Sequence, residues 1–159
     1  MVTMNNIIKE YYPLFELYQS LRTQLLDILT DEDLAYRPNS QTETLAELCR
    51  DIGETEVAYI EAFKTFKQEF SYRHEAITSI QQLRQWWARL DEELKTAVAA
   101  LTPDDIQNRT VYRGENFQVS SLINLTIYNE ALLIFYGKIS VYLKAMSKSI
   151  PQQWQEWIG

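Results

Sequence analysis

Four long stretches of this chain repeat apolar residues at intervals of three and four, and few glycines or prolines interrupt them. That spacing belongs to amphipathic helices, because residues three and four apart share one face of a 3.6-residue turn. The first stretch covers about residues 4–28 and carries Ile8, Tyr11, Phe15, Tyr18, Leu21, Leu25 and Ile28. Pro13 falls inside it, so the helix either starts there with a first-turn proline or kinks there. The second begins after Pro38, with Thr44 and Glu47 spaced as a capping box, and reads Leu45, Leu48, Ile52, Thr55, Tyr59, Ala62, Phe63. The third runs from Thr78, where Gln81 completes a second box, to Leu101 through Leu83, Trp87, Leu90, Leu94 and Val98. The fourth covers about residues 120–146.

The connections refine this outline. Thr102-Pro103-Asp104-Asp105 reads as an N-cap, a first-turn proline and acids at a positive helix end, hence a short helical turn. TVYRGENFQV, residues 110–119, is the one place for a short hairpin, and EFSYRHEA, residues 69–76, is a loop suited to pinning a bundle end. The tail QQWQEWIG carries two tryptophans three apart and is expected to dock. Four glycines and four prolines in 159 residues are too few for a β-rich chain. With no repeat or linker, the expectation is one all-α domain over residues 1–159, a four-helix bundle.

Charge and composition exclude several function classes. The net charge of -7 disfavours binding to a phosphate backbone, so no nucleic-acid partner is expected. No apolar run reaches the roughly 18 residues that would span a bilayer, so no membrane partner is expected either. The start MVTMNNIIKE lacks the basic and apolar regions of a signal peptide. With a single cysteine, Cys49, the expected location is cytoplasmic. Cys49 projects with Gly53 and Glu56 away from the centre of its helix's apolar face, which suits inert packing or a surface thiol. His74, the only histidine, reads as a solvated loop residue. Gly53 and Gly137 each cost about 1 kcal/mol in a helix, and close helix approach is the expected reason for both.

On a wheel of the fourth stretch, Asn124, Ala131, Phe135, Lys138 and Tyr142 share a stripe. Leu125, Tyr128, Leu132, Ile139 and Leu143 lie beside it, and Ile123, Ile127, Ile134 and Val141 lie on the other side. The apolar arc covers roughly half the circumference, wider than the ~100° one bundle face needs. A homodimer through this helix is therefore expected.

Particular residues carry a family resemblance. Gly137-Lys138 followed by Ile139 to Lys144, the segment TLAELCRDIGETEVAYIEAF (residues 44–63) and the tail PQQWQEWIG together resemble the DinB/YfiT-like superfamily of bacterial four-helix bundles. The resemblance implies up-down-down-up topology and a metal held by three histidines. Those ligand positions fall on Asp51, Ala131 and Phe135, none of which is an imidazole, and Phe135 would fill the ion's volume. No metal, cofactor or catalytic residue is therefore expected. A polar cluster of Asp51 paired with Lys138, aided by Tyr59, Tyr128 and Tyr142, is expected to replace the metal, since a buried charge requires a partner. The functional expectation is a non-catalytic homodimeric bundle that binds a small molecule or a protein. The alternative is a metal-dependent enzyme of the family, thiol transferase or hydrolase-like, whose ion would rest on the carboxylates of Asp51, Glu54 and Glu130.

Overall fold

A computed structural model describes residues 5–159. A π-helical turn, Ile7–Tyr11, runs into α1, Tyr12–Ile28. Pro13 sits in the first turn of α1, where its missing N–H costs no hydrogen bond, and the wider turn before it continues the helical path. A 3₁₀ turn, Glu32–Ala35, leads to α2, Leu45–Thr65, whose Thr44–Glu47 capping box forms as expected. α2 ends at Phe66 in the left-handed conformation. α3, Ile80–Ala99, starts one residue later than its predicted box. The Ser79 hydroxyl accepts the Gln82 N–H, and the Gln82 side chain reaches back to the Thr78 N–H at 2.9 Å.

The short α4, Pro103–Asn108, has the predicted N-cap and first-turn proline. A hairpin follows, β1 (Val111–Gly114) and β2 (Phe117–Val119), with Val111 opposite Val119 and Asn116 at positive φ in the turn. It is sewn to the end of α2, since Tyr112 N–H donates to the Phe66 carbonyl and receives the Gln68 N–H on its own. α5, Ser121–Ala145, is capped by Ser120, and α6, Gln152–Trp157, closes the chain. The tail docks: Trp154 is wholly buried and its indole N–H donates to the Leu21 carbonyl at 2.9 Å.

Contacts fix the helix directions. Along α1, Glu16, Arg22 and Asp27 meet Lys95, Asp91 and Arg84 in descending order, so α1 and α3 are antiparallel. Gly53 of α2 meets Trp86, and Glu56 and Asp91 meet at one guanidinium, so α2 and α3 are parallel. Asn124 bonds Gln68 just past the end of α2, Tyr128 stacks on Tyr59, and Tyr142 donates to the Glu43 carbonyl just before its start. α5 therefore runs against α2. The bundle is up-down-down-up.

Its core holds a charged centre that the apolar spacing concealed. Arg22, 2% exposed, donates to Glu56 at 2.6 Å and to Asp91, and it lies over the Trp87 ring. Gln19 donates to Asp91 at 2.9 Å and to Glu56 at 3.4 Å. One cation thus serves two carboxylates. Burial, against the attraction of Arg22 and with the repulsion of Asp91, pushes the Glu56 carboxyl up to about 8.

Two expectations need correction here. The side of α2 bearing Cys49, Gly53 and Glu56 is not turned away from the core, because α3 packs on it and buries all three. Burial pushes the Cys49 thiol up to about 12, which makes it inert packing. The two glycines also differ. A Cβ on Gly53 would lie 2.4 Å from the Trp86 ring, whereas one on Gly137 would meet nothing within 4 Å. Gly53 is a notch for an indole, and Gly137 serves no close approach within the subunit.

Gly53→Ala is expected to cost about 1–3 kcal/mol by overpacking, while Gly137→Ala gains about 0.5–1 kcal/mol from better helix propensity; denaturant unfolding of both variants checks the contrast. Arg22→Met leaves the buried Glu56 and the half-buried Asp91 without their cation and is expected to cost about 3–5 kcal/mol. Glu56 binds its proton more tightly in the folded state. Its contribution is therefore fully present below its ordinary 4.5 and is lost as pH rises through about 8. Unfolding free energies between pH 5 and 9 should decline in the wild type, and Glu56→Gln should flatten that decline.

Candidate functional site

The capping box sets α2 so that Arg50, Asp51, Glu54 and Thr55 line one wall of a pocket of about 260 Å³. Phe135 of α5 forms the facing wall, and Phe70 and Arg73 enter from the α2–α3 loop. That loop is held in place by a chain of contacts starting at Gly53. Trp86 fills the notch left by the glycine, and the His74 ring stacks on Trp86 at 3.7 Å and 9°. The His74 backbone N–H then donates to Glu54 at 2.8 Å. His74 is thus a half-buried stacking residue, not the solvated loop residue expected from sequence.

The electrostatics of the pocket centre on Glu54. It is 8% exposed and lies 3.4 Å from Arg50 and 3.7 Å from Arg73, and neither guanidinium makes a hydrogen bond to it. The Arg50 Nε is sealed from water with no hydrogen-bond partner. Arg73 spends one nitrogen on the Phe70 and Tyr72 carbonyls, which fixes the loop's turn. Asp51, half-buried, forms no ion pair among the described residues; burial and then the neighbouring Glu54 push its carboxyl above the usual range. The pocket therefore holds two guanidinium groups and two carboxylates, with no hydrogen bond between them.

Of the residues expected to form a site, the structure brings Asp51 and Phe135 to one pocket. Ala131 lies one turn earlier on α5, half-buried. The Asp51–Lys138 cluster does not form. Lys138 is exposed, with its ammonium 5.8 Å from the centre of the Phe135 ring, because a four-carbon stem at the rim keeps its charge in water at little cost. The three tyrosines are engaged elsewhere. Tyr59 and Tyr128 stack at 4.5 Å within an aromatic column from Tyr12 through Phe15 to Phe70, and Tyr142 donates to the Glu43 carbonyl at 2.6 Å. The Tyr59 hydroxyl accepts from Arg113 of the hairpin.

The carboxylate alternative also fails on geometry. Glu130 is exposed, and among the described residues no group of three His, Cys, Asp or Glu side chains stands close enough to hold a metal ion. One half-buried carboxylate facing a phenyl ring does not fit a transition metal, which needs about four ligands. Sequence reasoning missed Arg50, Phe70 and Arg73 as wall residues. The loop EFSYRHEA was legible as a pin, but its aim depends on the Gly53–Trp86 fit across two helices.

A family model described as the DinB superfamily matches residues 14–132, and the chain belongs to that superfamily. In fold it is similar to a DinB-like protein (YjoA) from Bacillus subtilis at 17% identity and a TM-score of 0.70, covering 92% of this chain and 96% of that one. It is similar also to a DinB-like protein from Bacillus cereus ATCC 10987 at 15% identity and a TM-score of 0.76, covering 91% and 95%. No curated protein matches the chain in sequence.

Asp51 and Phe135 line one pocket, and Ala131 lies one helical turn from Phe135 on α5. The combined substitutions Asp51→His, Ala131→His and Phe135→His are expected to create stoichiometric Zn²⁺ binding, read by elemental analysis after dialysis. Any two of them alone should retain much less.

Proposed function

We propose that this member of the DinB superfamily is a non-catalytic, homodimeric bundle that binds a small molecule without a metal, in the pocket between α2 and α5. The observation that carries the reading is the exchange at the cleft. The positions that the family resemblance assigns to metal ligands hold Asp51, Ala131 and Phe135, while the cleft itself persists with Arg50 and Arg73 in its walls. A phenyl ring and guanidinium donors suit an organic ligand better than an ion.

The outer face of α5 supports the dimer. Ile123, Ile134 and Val141 are 49%, 64% and 60% exposed, Ile127 lies half-buried on the same stripe, and Gly137 between the last two leaves room for a close neighbour. Such an unpartnered apolar stripe favours burial against a second copy. No described helix is long and apolar enough to cross a membrane. A cytoplasmic setting belongs to the same reading, with the one thiol sealed in the core.

Two measurements test it. Elemental analysis of purified protein is expected to give well under one equivalent of transition metal; a full equivalent that survives dialysis sinks the metal-free reading. Sedimentation equilibrium is expected to give a dimer whose dissociation constant rises at least tenfold on Ile134→Glu, with helicity retained.

A further inference from the structure

A second cavity, of about 390 Å³, lies one turn along α2 and α5 and is lined by Leu48, Lys138, Val141 and Tyr142 of those helices and by Pro38, Thr42 and Glu43 before α2. The two cavities share their walls in sequence order. Leu48 is three residues from Asp51 on α2, and Lys138 is three residues from Phe135 on α5, so one helical turn of about 5 Å separates them. Lys138 marks the border, with its ammonium over the Phe135 ring. One compartment is charged and the next is apolar.

We infer that the ligand of this groove is an amphipathic monocarboxylate, whose acid group docks on Arg50 and Arg73 and whose hydrocarbon body passes Phe135 beneath Lys138 into the apolar cavity. The inference rests on the small-molecule reading above and names its ligand class. The acid end follows from the donors. Two guanidinium groups share one carboxylate, Glu54, without hydrogen-bonding it, and Glu54 is already engaged by the His74 N–H. The Arg50 Nε faces Glu54 at 3.4 Å without a hydrogen bond, and no other Arg50 N–H is hydrogen-bonded among the described residues, so a ligand carboxylate would supply an acceptor for the guanidinium edge that lines the pocket. Asp51 on the same wall repels excess negative charge, which selects a monoanion over a phosphate dianion. The apolar end follows from Leu48, Val141 and the Tyr142 ring, which offer hydrocarbon contact and no free donor, because the Tyr142 hydroxyl is spent on the Glu43 carbonyl.

Calorimetric titration of the full chain with decanoate, butyrate, inorganic phosphate and decylamine tests the inference. Decanoate is expected to bind at least tenfold more tightly than butyrate, with phosphate and decylamine silent. Arg73→Gln, on an exposed loop, should weaken both carboxylates about tenfold, and Pro38→Glu, on the exposed rim of the apolar cavity, should weaken decanoate alone. Equal affinities for butyrate and decanoate, with sensitivity to Arg73→Gln, would overturn the amphipathic ligand and leave the pocket reading standing. Decylamine binding as well as decanoate would also overturn it. If no probe binds, or none responds to Arg73→Gln, both readings fall. Circular dichroism of each variant confirms that the bundle is intact.

Discussion

The rest of the bundle depends on one buried guanidinium. α2 and α3 run parallel and bring Glu56 and Asp91 toward each other, two like charges that would force those helices apart in a medium of low polarity. Arg22, arriving from the antiparallel α1, lies between them, and Gln19 one turn earlier bridges the same pair. The arrangement joins three helices at one level and penalises any register in which the charges miss each other. Such a centre contributes little net stability compared with an apolar core of equal volume, since desolvating Arg22 and Glu56 costs several kcal/mol each. Its larger effect is on which packing the chain adopts. It also makes the centre sensitive to pH, because burial and the neighbouring Asp91 raise the Glu56 carboxyl against the attraction of Arg22.

The parallel packing of α2 on α3 also positions the pocket. At the level of Gly53 the two helices approach closely enough for the Trp86 ring to occupy the space of a side chain. The same indole provides the platform for His74, whose backbone then holds Glu54. Three consecutive contacts therefore convert a helix–helix fit into a loop position. Glu54 and Glu56 lie two residues apart on opposite sides of α2, one facing the pocket and one facing the charged centre. α2 is the shared wall of both, which is why so little of its surface meets water.

Local rules made most of the fold legible from sequence. The Thr44–Glu47 box, the Thr102-Pro103 turn, the hairpin in TVYRGENFQV and the docked tail all depend on residues within a few positions of one another. The failures have a common physical origin in long-range pairing. Arg22, Glu56 and Asp91 each occupy an apolar repeat, Arg22 in step with Phe15 and Leu25, Glu56 with Gly53 and Ile60, Asp91 with Trp87 and Leu94. One cation and two anions at inward positions of three different helices formed the available signal, and it becomes visible only when the segments are compared. The box at α3 slipped by one residue because serine and threonine adjoin there and either hydroxyl suits the spacing.

The pocket shows how far a positional reading carries. The family resemblance assigns Asp51 and Phe135 to one site and the structure brings both to one pocket, but Lys138 is not the partner of Asp51. A lysine at a rim position can satisfy its charge in solvent at the cost of one bond rotation, so inward wheel position alone does not bury it. The charges that do face Asp51 come from its own helix neighbour, Arg50, and from Arg73 across the loop. Phe135 lines the charged cavity and Lys138, one turn further on α5, lines the apolar one, with its ammonium 5.8 Å from the Phe135 ring centre. The phenyl ring supplies a surface along which a hydrocarbon can lie, and that contact has value only for an organic ligand longer than the charged pocket itself.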